Sequence, residues 1–351
     1  MKKKATYLLF FLVTPLCLLA QIPEYYNEVD FTVSPQEIQQ QLTNLITTTH
    51  SYELNYTPEV WDILKIADLE PNQAEDVLLL YGYDDFDGIS KTDRLRNKEL
   101  NCTSSSCIGL WNREHIFPRS LATPPLETNY PNAGTDAHGL HACDSQMNSS
   151  RNNRPYEQGS GNAKITPDSN FYPGNEWKGD VARIIMYLYV RYPTQCAAVT
   201  VGIGSTNYSN LGDMPDIFLE WNAEDPVSSL ETQRNTVIFD VQGNRNPFID
   251  NPYLATILWN GPDAEQTWDV LEVADNNIDT PFLYPTITNG LVYVKNVSQT
   301  VFEYRVYSIS GKFVLSGNTN QEINLGNLSK GMYFVQLQNE MMIHSEKIII
   351  R

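Results

Sequence analysis

Basic residues are scarce in this chain of 351 residues. Lysine and arginine number 24 against 42 aspartates and glutamates, which gives a formal net charge of −18 at pH 7. Proteins that wrap a polyanion rely on overall positive charge, so that class is excluded. The hydrophobic fraction of 41% and the aromatic fraction of 11% are sufficient for packed cores and exclude a disordered polymer. We therefore expect a globular protein with two folded units.

Long hydrophobic runs are equally rare. The run from Tyr7 to Leu19 is interrupted by Pro15 and falls short of the roughly 20 residues that a membrane-spanning helix needs. Three lysines precede this run and Ala20 follows it, which is typical of a secretory signal peptide. We predict a signal peptide at residues 1–20, export of the chain, and no stable membrane insertion.

Cysteine is also uncommon, with five in the chain. Cys17 falls in the predicted signal peptide. In an exported protein the other four are expected to form disulfides and not to act as catalytic thiols. The turn-like stretch between Cys102 and Cys107 favours that pair, and Cys143 and Cys196 are the remaining cysteines.

Aspartate is absent from about residue 281 onward. Short alternating strands follow one another there, at Leu291–Lys295, Phe302–Ser308 and Met332–Gln338, separated by glycine and asparagine turns. This pattern predicts a small all-β sandwich. A sandwich that binds carbohydrate or protein is the alternative to the resemblance described next.

The same segment resembles the C-terminal sorting domain of the type IX secretion pathway. The resemblance is carried by Tyr284-Pro285, Thr288-Asn289-Gly290, Ser310-Gly311-Lys312, Lys330-Gly331-Met332-Tyr333 and the final Lys347-Ile348-Ile349-Ile350-Arg351. It implies recognition by the type IX secretion machinery. It also implies secretion or attachment at the cell surface. We place this domain at residues 284–351, after a linker at 276–283.

Histidine is as rare as cysteine, with five in the chain. Of five histidines, His115, His138 and His141 fall within 27 residues. Carboxylates and amides surround them, namely Glu114, Asp136, Asp144, Asn148, Asn152 and Asn153. Carboxylate, amide and water oxygens suit Mg²⁺, and an imidazole takes a proton from water near neutral pH. Together these groups predict hydrolysis of a phosphodiester, with a rate that rises across the histidine titration range.

The local pattern predicts a strand, a loop, a second strand and a helix. The first strand covers Leu110 to Pro118, the second Thr135 to Ala142, and the helix runs from Asp144 or Ser145 to Asn153. Neighbouring residues on a strand point to opposite faces. Glu114 and His115 therefore share a site only if the strand twists or ends beside them.

These residues resemble the bacterial endonuclease I family, secreted or periplasmic nonspecific nucleases with a ββα-metal (His-Me finger) site. The resemblance is carried by Trp111-Asn112-Arg113-Glu114-His115-Ile116-Phe117-Pro118-Arg119-Ser120, Thr135-Asp136-Ala137-His138-Gly139-Leu140, the stretch Asn148 to Tyr156, and Lys178-Gly179-Asp180-Val181-Ala182-Arg183. It implies an α+β fold with a mixed α/β nuclease core, which we place at residues 21–275. Within it, apolar spacing predicts a core helix over Lys178 to Tyr192.

The resemblance implies a role for individual residues. His115 is the general base, and Glu114 and Asn153 hold Mg²⁺, with Ca²⁺ or Mn²⁺ as alternatives. One arginine steadies the transition state, for which Arg119, Arg151 and Arg154 are candidates. The other predicted roles are substrate binding by Arg113, Arg154 and Tyr156, with Trp111 as a second stacking surface, and support of the metal site by Asp136 and His138.

We therefore expect a secreted, monomeric, metal-dependent endonuclease that cuts DNA without sequence specificity, with RNA as an additional substrate. Two alternatives stay open at this point. One is a metal phosphodiesterase for small nucleotides, and the other is a noncatalytic binding module displayed at the cell surface.

Overall fold

The computed structural model describes residues 21–71, 73–84, 86–268, 282–295, 301–339 and 343–351. The predicted signal peptide at 1–20 and residues 276–281 of the predicted linker lie outside the described residues, and both stay predictions. The chain divides into two compact units between residues 271 and 272. Within the described parts, no helix has both the length and the apolar character needed to cross a bilayer.

The first unit combines helices with short two-stranded sheets, as the predicted α+β class requires. Its helices are α1 Pro35–Thr48, α2 Glu59–Ala67, α3 Ser145–Arg151, α4 Lys178–Arg191, α5 Asp216–Glu224, α6 Ser229–Gln242, α7 Pro247–Asp250 and α8 Tyr253–Trp259. Its strands are β1 Asp76–Leu78, β2 Leu95–Asn97, β3 Trp111–His115, β4 Leu140–Asp144, β5 Lys164–Ile165 and β6 Phe171–Tyr172. The pairs β1/β2, β3/β4 and β5/β6 are antiparallel.

Helix α4 forms the centre of the larger core. Its apolar residues Val181, Ile185 and Leu188 recur at helical spacing and are buried. Burial of each such side chain contributes about 1.5–3 kcal/mol. The helix packs against α1, α5 and α7, which confirms the predicted core helix. It ends one residue earlier than predicted, at Arg191.

Local signals explain where the flanking helices begin and end. Ser34 and Glu37 form a reciprocal capping box at the start of α1, with Pro35 in its first turn. Ser228 and Glu231 form the same motif at the start of α6. A cap of this kind stabilises a helix by about 1 kcal/mol.

The unit formed by β3, β4 and α3 carries the predicted site. Strand β3 ends at His115, and β4 leads into α3 without an intervening loop. The register places Glu114 opposite His141. Of the two residues predicted to begin the helix, Asp144 is the cap, and its Oδ1 accepts the backbone N–H groups of Gln146 at 2.8 Å and Met147 at 3.0 Å.

The predicted second strand was wrong over its first half. The structure has 3₁₀ turns at Ala133–Thr135 and Ala137–Gly139, and β4 begins only at Leu140. The reason is local: the Asn132 and Asp136 side chains accept the backbone N–H groups of Gly134 and His138. Such side-chain bonds compete with a β-ladder. Helix α3 also ends two residues earlier than predicted, at Arg151, because Asn152 turns the chain with a φ of 54°.

The cysteines divide into a disulfide and two free thiols. Cys102 and Cys107 are bonded, as predicted. Cys143 and Cys196 are buried and free, so the expectation that all four form disulfides was wrong. Burial raises the pKa of the Cys143 thiol well above its usual range and that of Cys196 to about 12. Two buried thiols behave as small apolar core residues.

The second unit is entirely β in its described parts. Its strands are β7 Phe282–Tyr284, β8 Ile287–Thr288, β9 Leu291–Lys295, β10 Phe302–Ser308, β11 Phe313–Thr319, β12 Glu322–Asn324, β13 Gly331–Gln338 and β14 Ile343–Ile350. They form one sheet in the order β11-β10-β13-β14-β8 and another in the order β12-β9-β7. Alternate residues such as Val292, Val306 and Val335 form a buried core. The all-β prediction and its three strands are confirmed.

Candidate active site

An open cleft lies where β3 ends beside α3. Its volume is about 300 Å³. The residues that line it come from two stretches, namely Arg113, Glu114, His115, Pro118, Arg119 and Ser120 from the first, and Asn148, Ser149, Arg151, Asn152 and Asn153 from the second. Glu114 and His115 both reach the cleft because His115 is the last residue of β3. The strand therefore ends beside these two residues, as a shared site for Glu114 and His115 requires.

Glu114 is a buried carboxylate in this cleft. Its Oε1 accepts a hydrogen bond from the Tyr81 hydroxyl at 3.1 Å and lies 3.4 Å from Nη1 of Arg151. No described residue donates a hydrogen bond to Oε2. Burial raises the pKa of Glu114 to about 7, against the opposing effects of Arg151 and of the Tyr81 hydrogen bond. A cation beside Oε2 would favour the ionised carboxylate.

The tautomer of His115 follows from the hydrogen bond that its ring makes within the described part of the chain. Its Nε2 lies 2.8 Å from the carbonyl oxygen of Gly134. A carbonyl only accepts, so Nε2 carries the proton and the neutral ring keeps its lone pair on Nδ1. Loss of contact with water lowers the pKa of His115 from 6.5 to about 4, and the nearby arginines add to this effect. The imidazole is therefore neutral at pH 7, and the expected rise in rate moves to more acidic pH than the ordinary histidine range.

Gly134 reaches His115 only because it has no side chain. A Cβ at this position would lie 2.0 Å from the carbonyl oxygen of Glu127, closer than real atoms approach. The turn Ala133–Thr135 thus packs directly on the neighbouring backbone. This close packing places the Gly134 carbonyl oxygen at the imidazole.

A sequence model described as Endonuclease I matches residues 34–253, more than half of the chain and including every residue of the cleft. The chain belongs to the endonuclease I family. A second model, the secretion system C-terminal sorting domain, matches residues 282–351, which cover the β unit. The protein is therefore a nuclease that is secreted or attached to the cell surface.

Curated relatives agree with this membership. The extracellular ribonuclease of Bacillus subtilis is 36% identical over 219 residues, which are 59% of this chain and 69% of that protein. The extracellular ribonuclease of Bacillus amyloliquefaciens is 37% identical over 223 residues, with the same shares of 59% and 69%. Endonuclease-1 of Buchnera aphidicola is 26% identical over 132 residues, 34% of this chain and 48% of that protein.

Members of the endonuclease I family generally use divalent metal ions, and the cleft has donors that fit one. Asn153 is exposed beside it, and its Nδ2 donates to Ser120 Oγ over 3.4 Å, which leaves the amide oxygen available. Among the described residues, no group of three or more His, Cys, Asp or Glu is arranged to hold a metal. A cation here would therefore bind one carboxylate, amide oxygens and water, a set that suits Mg²⁺.

The four predicted arginines of this endonuclease I family member have different surroundings. Arg119 is exposed in the cleft, and among the described residues its side chain is bonded through Nε alone, to Leu126 O at 2.8 Å. Arg154 is half-buried and donates to the carbonyl oxygens of Ser150 and Arg151 near the end of α3. This is a helix-capping contact.

Arg151 and Arg113 are already engaged by the protein. Arg151 is 1% exposed and donates to the carbonyl oxygens of His115 and Ile116, so its predicted contact with the reacting phosphate does not fit. It braces Glu114 and the end of β3 instead. Arg113 is half-buried and donates to the carbonyl oxygen of Tyr56, so its predicted role in substrate binding does not fit well either.

The predicted stacking surfaces are wrong. Tyr156 and Trp111 are fully buried. The Tyr156 hydroxyl donates to Ile116 O at 3.0 Å, and the Trp111 Nε1 donates to Lys98 O at 3.1 Å. Neither ring presents a face to a nucleobase. Both are core residues that hold β3 in place.

Asp136 and His138 lie in a buried network away from the cleft. Asp136 accepts hydrogen bonds from Tyr187 at 2.7 Å and Gln242 at 2.9 Å, and His138 Nε2 lies 3.1 Å from Asn244 O. Burial opposes ionisation of Asp136, but its histidine neighbours and these hydrogen bonds hold its pKa at about 2. Neither residue contacts Glu114 or Asn153 within the described parts of the chain. Asp136 directly follows the turn Ala133–Thr135 that carries Gly134, which is the connection between this network and the cleft.

Three residues at the site were missed from the sequence: Tyr56, Tyr81 and Gly134. Both tyrosines arrive from segments far upstream of β3, and their sequence neighbourhood carries no motif. Gly134 lies in the turn Ala133–Thr135. The contact of its carbonyl oxygen with His115 could not be predicted, because every residue type has a backbone carbonyl that can accept a hydrogen bond.

Proposed function

We propose that this protein hydrolyses phosphodiester bonds of DNA and of RNA, without reading sequence, with His115 as general base. The supporting observation is the contact of His115 Nε2 with the Gly134 carbonyl oxygen, which leaves Nδ1 free to accept a proton, beside buried Glu114 in an open cleft. RNA is included because two relatives that match most of the nuclease region are named extracellular ribonucleases. The openness of the cleft suits a polymer better than a small nucleotide.

His115 acts on a water molecule in this mechanism. Nδ1 takes a proton from the water, and the water oxygen forms a bond to phosphorus while the bond from phosphorus to the leaving oxygen breaks. The leaving oxygen keeps the electron pair and takes a proton from solvent. A free imidazole with a pKa of about 4 is a weak base. The approaching phosphate adds negative charge, which raises the pKa of the ring when proton transfer occurs.

Glu114 and Asn153 would hold the divalent cation, for which Mg²⁺ is proposed and Ca²⁺ or Mn²⁺ are alternatives. When bound, the cation supplies positive charge that stabilises the transition state. Tyr81 and Arg151 both contact Oε1 of Glu114, so Oε2 is the oxygen that would face the cation. This arrangement keeps the ligand in one orientation.

Arg119 is the arginine proposed to contact the reacting phosphate. It is exposed in the cleft, whereas Arg151 is enclosed by carbonyl oxygens. A guanidinium at this place stabilises the charge that develops on the phosphoryl oxygens. The overall charge of −18 repels nucleic acid, so we expect weak binding that depends on these local cations.

The test uses supercoiled plasmid and a structured RNA as parallel substrates. We expect both to be cut with Mg²⁺ and spared when a chelator is present. His115→Ala abolishes cutting and keeps the wild-type melting temperature, whereas His344→Ala, in the β unit, cuts normally. Unchanged cutting by His115→Ala would overturn the assignment of the base. Cutting of bis(p-nitrophenyl) phosphate but of neither polymer would support the small phosphodiesterase instead.

A further inference from the structure

Tyr56 contacts two side chains of β3 at once, the proposed base His115 and the structural Arg113. Its ring centroid lies 5.7 Å from that of His115, with 27° between the planes. Cζ of Arg113 lies 3.4 Å from the centroid of the same tyrosine ring. Positions 113 and 115 stand on the same face of a strand. Tyr56 therefore stacks with both residues along the face of β3 that leads into the cleft.

Tyr56 is itself held firmly. Arg113 donates hydrogen bonds to the Tyr56 carbonyl oxygen and, at 3.0 Å, to Thr57 Oγ1. The guanidinium also lies 4.1 Å from the ring of Trp61, a buried residue of α2. Arg113 thus ties the segment that carries Tyr56 to β3. The tyrosine ring has little freedom to move away from His115.

The hydrogen bond to Gly134 does not by itself fix the orientation of the imidazole plane. Nε2 lies close to the axis about which the ring turns, so tilting the ring shifts this atom only slightly. The same tilt changes the direction of the Nδ1 lone pair, which has to point at the attacking water. A stacked neighbour limits the tilt because it opposes rotation of the ring plane.

We propose that Tyr56 is a positioning residue that fixes the plane of the His115 ring and so aims Nδ1 at the water. The inference rests on the proposed role of His115 as base. Tyr56 does not exchange a proton or touch the phosphate in this arrangement. Its aromatic ring is the functional part, and its hydroxyl is dispensable.

The experiment compares Tyr56→Phe, which keeps the ring, with Tyr56→Leu, which removes it, in the full chain with Mg²⁺ and a labelled oligonucleotide. We expect Tyr56→Leu to lower kcat by about tenfold to a hundredfold, the scale of an ångström-size misplacement. KM changes by less than about threefold, since no substrate contact is lost. Tyr56→Phe retains most of the wild-type kcat.

Two further variants complete the design. Tyr52→Leu is the matched control, because Tyr52 is an exposed tyrosine of the same segment that bonds Glu59, and it should not change kcat. If Tyr56→Leu fails to fold, Tyr56→Gln provides a ringless side chain of similar reach. Thermal melting of each variant separates loss of folding from loss of rate.

The outcomes distinguish this inference from the proposed function. Loss of activity in His115→Ala together with wild-type kcat in Tyr56→Leu overturns the positioning role alone. Retained activity in His115→Ala overturns the base assignment and the inference with it. A rise in KM at constant kcat, or a Tyr56→Phe variant as impaired as Tyr56→Leu, also contradicts the inference.

Discussion

Replacing Arg151 by methionine tests whether this residue is structural or catalytic. The side chain is buried, and its Nη atoms donate to the carbonyl oxygens of His115 at 3.1 Å, Asn152 at 3.3 Å and Ile116 at 2.7 Å. It also faces Glu114 at 3.4 Å. Arg151→Met keeps an unbranched apolar stem and removes the guanidinium with every one of these contacts.

The expected cost is large. Removing one partner of a buried ion pair leaves the other charge uncompensated and costs about 3–5 kcal/mol. In a unit of this size each kcal/mol lowers the melting temperature by about 2–4 °C, so we expect a fall of about 10 °C. Natural domains are stable by about 5–15 kcal/mol, so the variant should still fold at low temperature.

Arg119→Met is the matched control, for which we expect a small loss of stability and a large loss of kcat. Arg119 is exposed, and its side chain donates one hydrogen bond within the described parts of the chain, to Leu126 O. Its loss should reduce stability by less than about 1 kcal/mol. Its removal should lower kcat by about a hundredfold, as expected for loss of a group that stabilises transition-state charge.

Tryptophan fluorescence reports on the nuclease unit alone, because all 6 tryptophans precede residue 269 and each is buried. Urea unfolding of the full chain, followed at this signal, measures the stability of each variant. Wild-type stability in Arg151→Met, accompanied by loss of cutting, would refute the structural role. A strongly destabilised Arg119→Met would refute the distinction between the two arginines.

Three further outcomes follow from the structure. Gly134→Ala should lower kcat at least tenfold, because the added methyl group would lie 2.0 Å from Glu127 O and must displace the carbonyl that holds His115. Gly139→Ala is the control, because its methyl group meets the flexible end of the Leu188 side chain at 3.0 Å. Equal kcat values for the two variants would contradict the argument. The pKa of Asp136 is about 2 in the folded protein against an ordinary 3.8, so ionisation of this carboxylate contributes about 2 kcal/mol above pH 4 that is lost as the pH falls through 2. Urea unfolding of Asp136→Asn should lack this loss between pH 4 and pH 2, and a slope identical to wild type would exclude it. In a chain that begins at residue 21, the two buried free thiols should react with Ellman's reagent only after denaturation, and rapid reaction of the native protein would contradict their burial.

The sequence was sufficient to predict the parts of the fold that depend on local signals. Asp144 has a side chain that caps a helix, and the alternation in Phe302–Ser308 predicts the strand that the structure contains. The core helix beginning at Lys178 follows from apolar spacing alone. These features depend on residues within one or two turns of each other.

Other features depend on contacts between distant segments and were beyond local reasoning. Arg119 and Arg151 are alike in sequence, and only their burial separates a residue free to meet substrate from one that braces a ligand. Tyr156 ends the stretch Asn148 to Tyr156 and was predicted to bind substrate, but its side chain is buried in the core. The turn at Asp136 replaced a predicted strand because side-chain bonds to the backbone outcompeted ladder pairing.

The acceptor for His115 belongs to the main chain at Gly134, and this has a consequence for sequence variation. Every amino acid supplies a carbonyl oxygen, so a substitution at this position cannot delete the partner of the imidazole. It can only move it, by adding bulk against the backbone of Glu127. Tolerance of substitutions at position 134 is therefore set by the size of the new side chain and not by its capacity to hydrogen-bond.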